Sequence, residues 1–288
     1  MRDITFSVEP GERVAYIGPN GAGKSTSIKM LTGILHPTSG SATVLGRLPW
    51  RERRALTRQI GTLFGQRSQL WFELTPRETF RMLGAIYDID GPRLRTRVGE
   101  LGALLDADEL FDEPVRSLSL GQRMRCELAA CLLHEPSVLF LDEPTIGLDL
   151  LAKQRFRELL VRLNGERATT IFLTSHDVSD IEQVAERVIV INHGQVIYDD
   201  RVAAMRRELL ATKVVEVALS APVTLAPMQG VIVAAATSSA LQLVVDTACR
   251  PVRDVLDALL GKADVTDITV TDPPLEQVIA EIYERPRT

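Results

Sequence analysis

The sequence predicts an α/β fold, built on a mostly parallel sheet with a helical insert and followed by a small α+β domain. Three observations predict it. Val14–Ile17, Val138–Leu141 and Thr170–Thr174 are short, nearly continuous apolar runs, the pattern of strands buried on both faces. Helical patterns separate these runs, and strands that alternate with helices give parallel sheets. After about Arg201 the composition shifts to short strands interspersed with helices.

In chain order, Ile4, Phe6 and Val8 alternate as a strand does, ahead of a Pro10-Gly11-Glu12 turn. The apolar run Val14–Ile17 leads into GPNGAGKST and then a helix over Ser27–Thr32. From about Glu73 the pattern turns helical, opened by Thr75-Pro76-x-Glu78, a capping-box arrangement with proline at the first helical position. Leu101, Leu104, Leu105 and Leu110 add an amphipathic stripe, and the insert is expected to occupy about 73–135. Val188–Ile191, Asn192-His193-Gly194 and Gln195–Tyr198 form a predicted hairpin with a glycine turn. The expected domains are 1–200 and 213–288. The second should hold strands at Lys213–Leu219, Val231–Ala235, Leu241–Val245 and Asp267–Thr271, with helices near Pro251–Leu260 and Leu275–Tyr283.

Composition narrows the function classes. A net charge of −5 over 288 residues supplies no broad basic field, so no nucleic-acid partner is expected. Arg51, Arg53, Arg54 and Arg58 form the densest basic cluster and are expected on a solvated helix face. Cys126, Cys131 and Cys249 are too few and scattered for a disulfide framework or zinc site, and are expected as small buried hydrophobes. The amino terminus has no apolar signal segment. Val231–Val245 is shorter than the ~20 residues a membrane span needs and carries Thr237, Ser238, Ser239 and Gln242. It is expected as two strands, so the chain is not expected to cross a membrane by itself.

Gly18-Pro19-Asn20-Gly21-Ala22-Gly23-Lys24-Ser25, continued by Thr26, fits G-x-x-x-x-G-K-[ST] between a buried strand and a helix start. Glycines let the backbone close around phosphate oxygens, with successive N–H groups and the helix amino end facing the negative charge. Lys24 is expected against the β- and γ-phosphates, and Ser25 on Mg²⁺. Val138-Leu139-Phe140-Leu141-Asp142-Glu143 sets two carboxylates at the carboxyl edge of the sheet, where ligands of open α/β sheets bind. Asp142 is the natural Mg²⁺ partner and Glu143 the natural base for an attacking water.

Further motifs carry a family resemblance. Leu118-Ser119-Leu120-Gly121-Gln122 resembles the LSGGQ signature of ABC-type ATPases, departing from it at Leu120. Asp142–Asp149 resembles the family's Walker B strand and D-loop. Thr174-Ser175-His176-Asp177 resembles its histidine switch, and Phe64-Gly65-Gln66 its Q-loop, with Gln69 the weaker candidate for that role. The order, from Ile4 to about Tyr198, is that of the family. The resemblance implies a P-loop NTPase core that binds Mg²⁺ and ATP and hydrolyses ATP in a head-to-tail dimer. Ser119, Gly121 and Gln122 of one subunit would close on ATP held by a second ATPase subunit. His176 would contact the γ-phosphate, Gln66 would sense Mg²⁺, and Asp149 would cross the dimer interface. Integral membrane permease subunits would dock on the insert. The chain would then be cytoplasmic and peripheral on the inner face of the cell membrane.

The motif wording, with Pro274-Leu275-Glu276-Gln277-Val278 near the end, resembles bacterial exporter-type single-domain ATPases. A soluble ABC ATPase acting on ribosomes or nucleic acid is the alternative. A nucleotide-binding regulator without turnover is opposed by Glu143 and His176. The family carries an adenine-stacking aromatic residue upstream of the phosphate loop, and with 17 residues before Gly18 no counterpart to it is expected. Phe6 is a poor substitute, and weakened adenine selectivity with an unpaired sheet edge is expected.

Overall fold

A computed structural model describes residues 3–64, 68–210, 212–221, 227–261, 264–271, 279 and 282. The chain divides into two compact units, Met1–Asp200 and Arg201–Thr288.

In the first unit, β1 (Arg13–Ile17) runs into α1 (Lys24–Leu31), followed by the short α2 (Arg53–Leu56) and β2 (Ile60–Phe64). The insert holds α3 (Pro76–Ile86), α4 (Gly91–Leu105) and α5 (Leu120–Leu132), with short 3-10 turns between α4 and α5. Then come β3 (Val138–Asp142), α6 (Leu150–Arg167), β4 (Thr170–Thr174), α7 (Val178–Val184), β5 (Arg187–Asn192) and β6 (Gln195–Arg201). The six strands are ordered β2-β3-β4-β1-β5-β6, and β2 through β5 are parallel neighbours. The apolar runs are buried as predicted because helices cover both faces of the sheet: Val14, Tyr16, Ile28, Phe140 and Phe172 pack in one cluster, and Leu139, Leu141, Ile171 and Leu173 in another with the insert. The hairpin between β5 and β6 turns on His193 and Gly194, both at positive φ, which a two-residue hairpin turn of this hand requires.

Local signals place the insert helices. Thr75 caps α3 with a complete capping box to Glu78, and Asp90 caps α4 by accepting from the Arg93 backbone N–H. Leu101 and Leu105 are buried, while Leu104 and Leu110 are half-buried against the same core. The arginine cluster is exposed, as expected.

Several expectations are corrected. Ile4–Val8 joins no sheet ladder, although its side chains alternate between half-buried and exposed. Side-chain packing holds it instead: the Phe6 ring lies 5.5 Å from Tyr16 and 5.9 Å from Phe172, centroid to centroid. Phe6 is therefore a core residue. The first helix starts at Lys24, not Ser27, and the helix that follows Ser119 starts at Leu120. Cys126 and Cys131 are buried, but Cys249 is exposed beside Asp246.

The second unit contains α8 (Val202–Leu210), β7 (Thr212–Leu219), β8 (Val231–Ala236), β9 (Ala240–Asp246), α9 (Val252–Leu260) and β10 (Val265–Thr271). Its sheet is antiparallel in the order β10-β7-β9-β8. Val215, Val217, Leu241, Leu243 and Val245 face Val255 and Leu259 of α9, giving this unit its own apolar core. Val231–Val245 is the hairpin of β8 and β9, with the Thr237 hydroxyl accepting from the Ala240 N–H at its turn. No described helix is long and apolar enough to cross a membrane. Gly65, Gln66 and Pro274–Val278, like most of the helix expected over Leu275–Tyr283, lie outside the described residues.

Candidate functional site: a phosphate loop facing a paired-carboxylate strand end

The loop from Gly18 to Gly23 leaves β1 at the carboxyl edge of the sheet and enters α1. Its glycines are required by geometry. A Cβ on Gly18 would stand 2.2 Å from the Ile191 carbonyl oxygen, and Gly23 caps α1 at φ 113°. The loop thus presses on β5 and turns so that the free N–H groups of the first α1 turn point outward. Pro19 is half-buried, Asn20, Gly21 and Thr26 are exposed, and Ala22 is buried.

Parallel register brings the rest of the cluster to the same edge. Phe64, Asp142 and Thr174 pair across β2, β3 and β4, so these strand ends stand in line. Asp142 Oδ1 accepts from Ser25 Oγ at 3.1 Å and from Thr174 Oγ1 at 2.7 Å. The buried Lys24 Nζ donates to the Gly18 carbonyl at 2.6 Å and to His176 Nε2 at 3.1 Å. Burial holds the Lys24 ammonium below the usual lysine range, partly offset by Glu143 and Asp142.

Glu143 sits at φ 53°, in the left-handed region, a conformation that costs about 1–2 kcal/mol in a non-glycine residue. Its N–H donates to both the carbonyl and the hydroxyl of Thr174 at 3.1 Å, and its Oε2 accepts from the His176 N–H at 3.1 Å. Its Oε1 lies 3.2 Å from His176 Nε2 but without hydrogen-bond alignment, so this buried oxygen has no donor. Burial raises the Glu143 carboxyl above the ordinary range, against the pull of His176 and Lys24. The result is a strained, partly buried carboxylate with one oxygen lacking a donor, and its burial favours the protonated form.

The sequence did not disclose what holds this arrangement. Asp180, 1% exposed in its side chain, receives Arg157 Nε at 2.6 Å, Thr145 Oγ1 at 2.6 Å and Ser175 Oγ at 2.5 Å. Arg157 also reaches Asp177, which pairs with Lys153 at 2.7 Å. This network ties the loop after Glu143 to the loop carrying His176. Its signal was only an Asp on an otherwise ordinary helix, indistinguishable from a solvated residue.

Gln69 is committed elsewhere: its amide donates to the Thr62 carbonyl at 2.7 Å and lies 3.2 Å from Cys131 Sγ. Gln66 falls outside the described residues. Ser119, Gly121, Gln122 and Asp149 gather separately, around a cavity of about 600 Å³ that also touches Arg125, Leu148 and Arg155 and includes none of Lys24, Ser25, Asp142, Glu143 or His176 in its lining. Ser119 caps α5 in a full capping box with Gln122, and Asp149 caps α6 by accepting from the Ala152 N–H at 2.8 Å. Leu120 is half-buried and packs toward Gly147, where its Cδ2 lies 2.8 Å from the position of an added Cβ. It leaves Ser119 exposed.

Among the described residues no group of three or more His, Cys, Asp or Glu could hold a metal ion. A hydroxyl and one carboxylate, Ser25 and Asp142, fit a cation that takes few protein ligands and completes its shell with phosphate oxygens and water, as Mg²⁺ does.

The family described as ABC transporter matches residues 1–146. The chain is 32% identical over 296 residues to the daunorubicin resistance ATP-binding protein DrrA3 of Streptomyces coeruleorubidus, covering 97% of this chain and 89% of that protein. It is 32% identical over 198 residues to the ABC transporter ATP-binding protein NatA of Bacillus subtilis (strain 168), covering 69% of this chain and 80% of that one. A dimeric ATP-binding cassette, MJ0796, in a post-hydrolysis state with ADP and Pi superposes with a TM-score of 0.62 at 26% identity, over 69% of this chain and 88% of that one. The phosphate loop, the paired carboxylates and these likenesses lead to one conclusion: the chain belongs to the ABC transporter family, as an ATP-binding subunit that hydrolyses ATP.

Proposed function

We propose that the chain powers export through separate permease subunits, as a dimer that sandwiches two ATP molecules between opposed half-sites. The observation that carries this reading is the division of the site residues into two groups. Lys24, Ser25, Asp142, Glu143 and His176 converge at the sheet edge, whereas Ser119, Gly121, Gln122 and Asp149 line a different cavity. A single subunit thus offers two incomplete sites, and a head-to-tail pair completes both.

In this reading the backbone N–H groups of Asn20–Thr26 and the Lys24 ammonium neutralise the β- and γ-phosphates. Ser25 and Asp142 would hold Mg²⁺, which supplies charge neutralisation on the phosphate oxygens. Glu143 Oε1 accepts the proton of the attacking water, and His176 orients Glu143 through its backbone N–H while its ring reaches the γ-phosphate. Gln66 would add a contact to the same cation, and Ser119, Gly121, Gln122 and Asp149 would face the partner's nucleotide. DrrA3 is named for daunorubicin resistance and BcrA of Bacillus licheniformis, 33% identical over 194 residues, for bacitracin transport; this supports export over action on ribosomes.

Exposed Trp71, Phe72, Met82 and Ile86, on the insert and just before it, would offer a permease an apolar surface to grip, which supports a peripheral position on the inner face of the membrane. We take 1–200 as the catalytic domain and 213–288 as an accessory one. Affinity purification of the chain from its native membrane tests the reading: co-recovery of a multi-span permease is expected, and recovery with ribosomes overturns it.

A further inference from the structure

The catalytic edge of the sheet and the amino terminus of α5 must keep a defined spacing if two subunits are to close on shared nucleotides, and one buried carboxylate bridges the elements that carry them. Glu127 lies on α5 roughly 12 Å, eight residues at 1.5 Å each, beyond its Ser119 cap. It is 5% exposed. Its two oxygens accept from the Ser68 hydroxyl and, at 3.0 Å, from the Gln69 N–H. Ser68 Oγ in turn accepts from the Leu70 N–H at 3.1 Å. Gln69 is fastened on its other side to the Thr62 carbonyl of β2 at 2.7 Å, which Cys131 Sγ also contacts at 2.8 Å. The segment at 68–70 therefore lies clamped between α5 and β2. Strand β2 ends at Phe64, paired with Asp142.

We propose that Glu127 is a positioning residue: its bridge to Ser68 and the Gln69 N–H fixes the amino end of α5 relative to the Asp142–Glu143 strand end, and so sets how readily the dimer closes on ATP. This rests on the sandwich-dimer reading. The chemistry supports a bridging role over a purely space-filling one. A buried carboxylate is costly unless its oxygens are satisfied, and an aliphatic residue would fill the same volume without that cost. Burial raises the Glu127 carboxyl above the usual range while the Ser68 and Gln69 donors hold it down, so its charge is not what stabilises the fold. Glutamine should serve nearly as well. Its Oε1 can accept from the Gln69 N–H, and its amide can donate to Ser68 Oγ, whose own proton would then turn to the Leu70 carbonyl, 3.0 Å away.

The test uses the full chain with Glu127→Leu, Glu127→Gln and Ser68→Ala. It measures equilibrium binding of a fluorescent ATP analogue, kcat and KM for ATP, and ATP-dependent dimer formation in a Glu143→Gln background. For Glu127→Leu we expect kcat and dimer affinity to fall about tenfold or more, with nucleotide binding and KM within about twofold of the parent. Glu127→Gln should stay within about threefold of the parent, and Ser68→Ala should fall between the two. Parental kcat in Glu127→Leu overturns the proposal. So does loss of nucleotide binding in step with kcat, or Glu127→Gln failing as badly as Glu127→Leu. Should Glu127→Leu not fold, Ser68→Ala with parental kcat overturns it alone. A Glu143→Gln parent that never dimerises with ATP sinks the sandwich reading instead, and the kcat comparison still judges Glu127.

Discussion

The phosphate-side cluster and the α5-side cavity are built by opposite means. At the first, contacts span long stretches of chain: Ser25 to Asp142, Lys24 to His176, and the N–H of Glu143 to Thr174. At the second, Ser119 and Asp149 are fixed by caps reaching three residues along their own helices. Chemistry that must hold a strained, desolvated carboxylate needs the whole sheet to over-determine it. A surface that offers helix ends to another subunit, as in the proposed dimer, needs only local order.

That contrast can be broken or sharpened by substitution. The largest effect is expected from Glu143→Gln, which keeps shape and ATP binding but removes the base, lowering turnover by about 10²–10⁴-fold in a steady-state phosphate-release assay. Lys24→Ala should instead weaken nucleotide binding itself, seen by titration with a fluorescent ATP analogue.

Next in size, Asp180→Ala strips the buried Arg157 guanidinium of its main partner and should cost about 3–5 kcal/mol in denaturant unfolding. It should lower turnover too, because Asp180 also holds Thr145 and Ser175 beside Glu143 and His176. A stable, fully active Asp180→Ala chain would contradict the long-range account of the phosphate side.

On the other side, Ser119→Ala removes a cap and should cost only about 1 kcal/mol in thermal unfolding. Its turnover should fall by more than that stability loss explains, since Ser119 faces the partner's nucleotide in the proposed dimer. Equal, small effects on both would reduce Ser119 to a capping residue.

The smallest expected effect is a displaced pH limb. Burial raises the Glu143 carboxyl, so the base is protonated and turnover lost at a pH above the ordinary glutamate value of about 4.3 as pH falls. The stability sign runs the other way. A carboxyl whose folded pKa is raised favours the folded state most when protonated, so Glu143 contributes less stability as pH rises through that value. Glu143→Gln should therefore be at least as stable as the parent at neutral pH, and a clear loss in its melting temperature would contradict the burial argument.

Legibility in the sequence follows the same division. Caps and turns are local chemistry, so Thr75-Pro76-x-Glu78 and the Gly194 hairpin could be read directly. Ile4–Val8 misled because alternation reports which side chains are buried, and says nothing of whether a neighbouring strand accepts the backbone hydrogen bonds. Cys249 misled because burial of a thiol is a frequency, not a rule. Glu127 was unreadable: an acidic residue inside a helix is ordinary until its neighbours from another segment are known.

The sequence by itself determined the nucleotide chemistry, since glycine spacing with Lys24 and Ser25 and an apolar strand ending in Asp142-Glu143 admit few other uses. Only the tertiary structure decided the state of that chemistry. Parallel register aligned Asp142 with Thr174, the backbone set Glu143 at a positive φ with one buried oxygen lacking a donor, and the Arg157–Asp180 pair locked the loops around it. Those features depend on desolvation and on contacts between distant segments, and neither exists until the chain has folded.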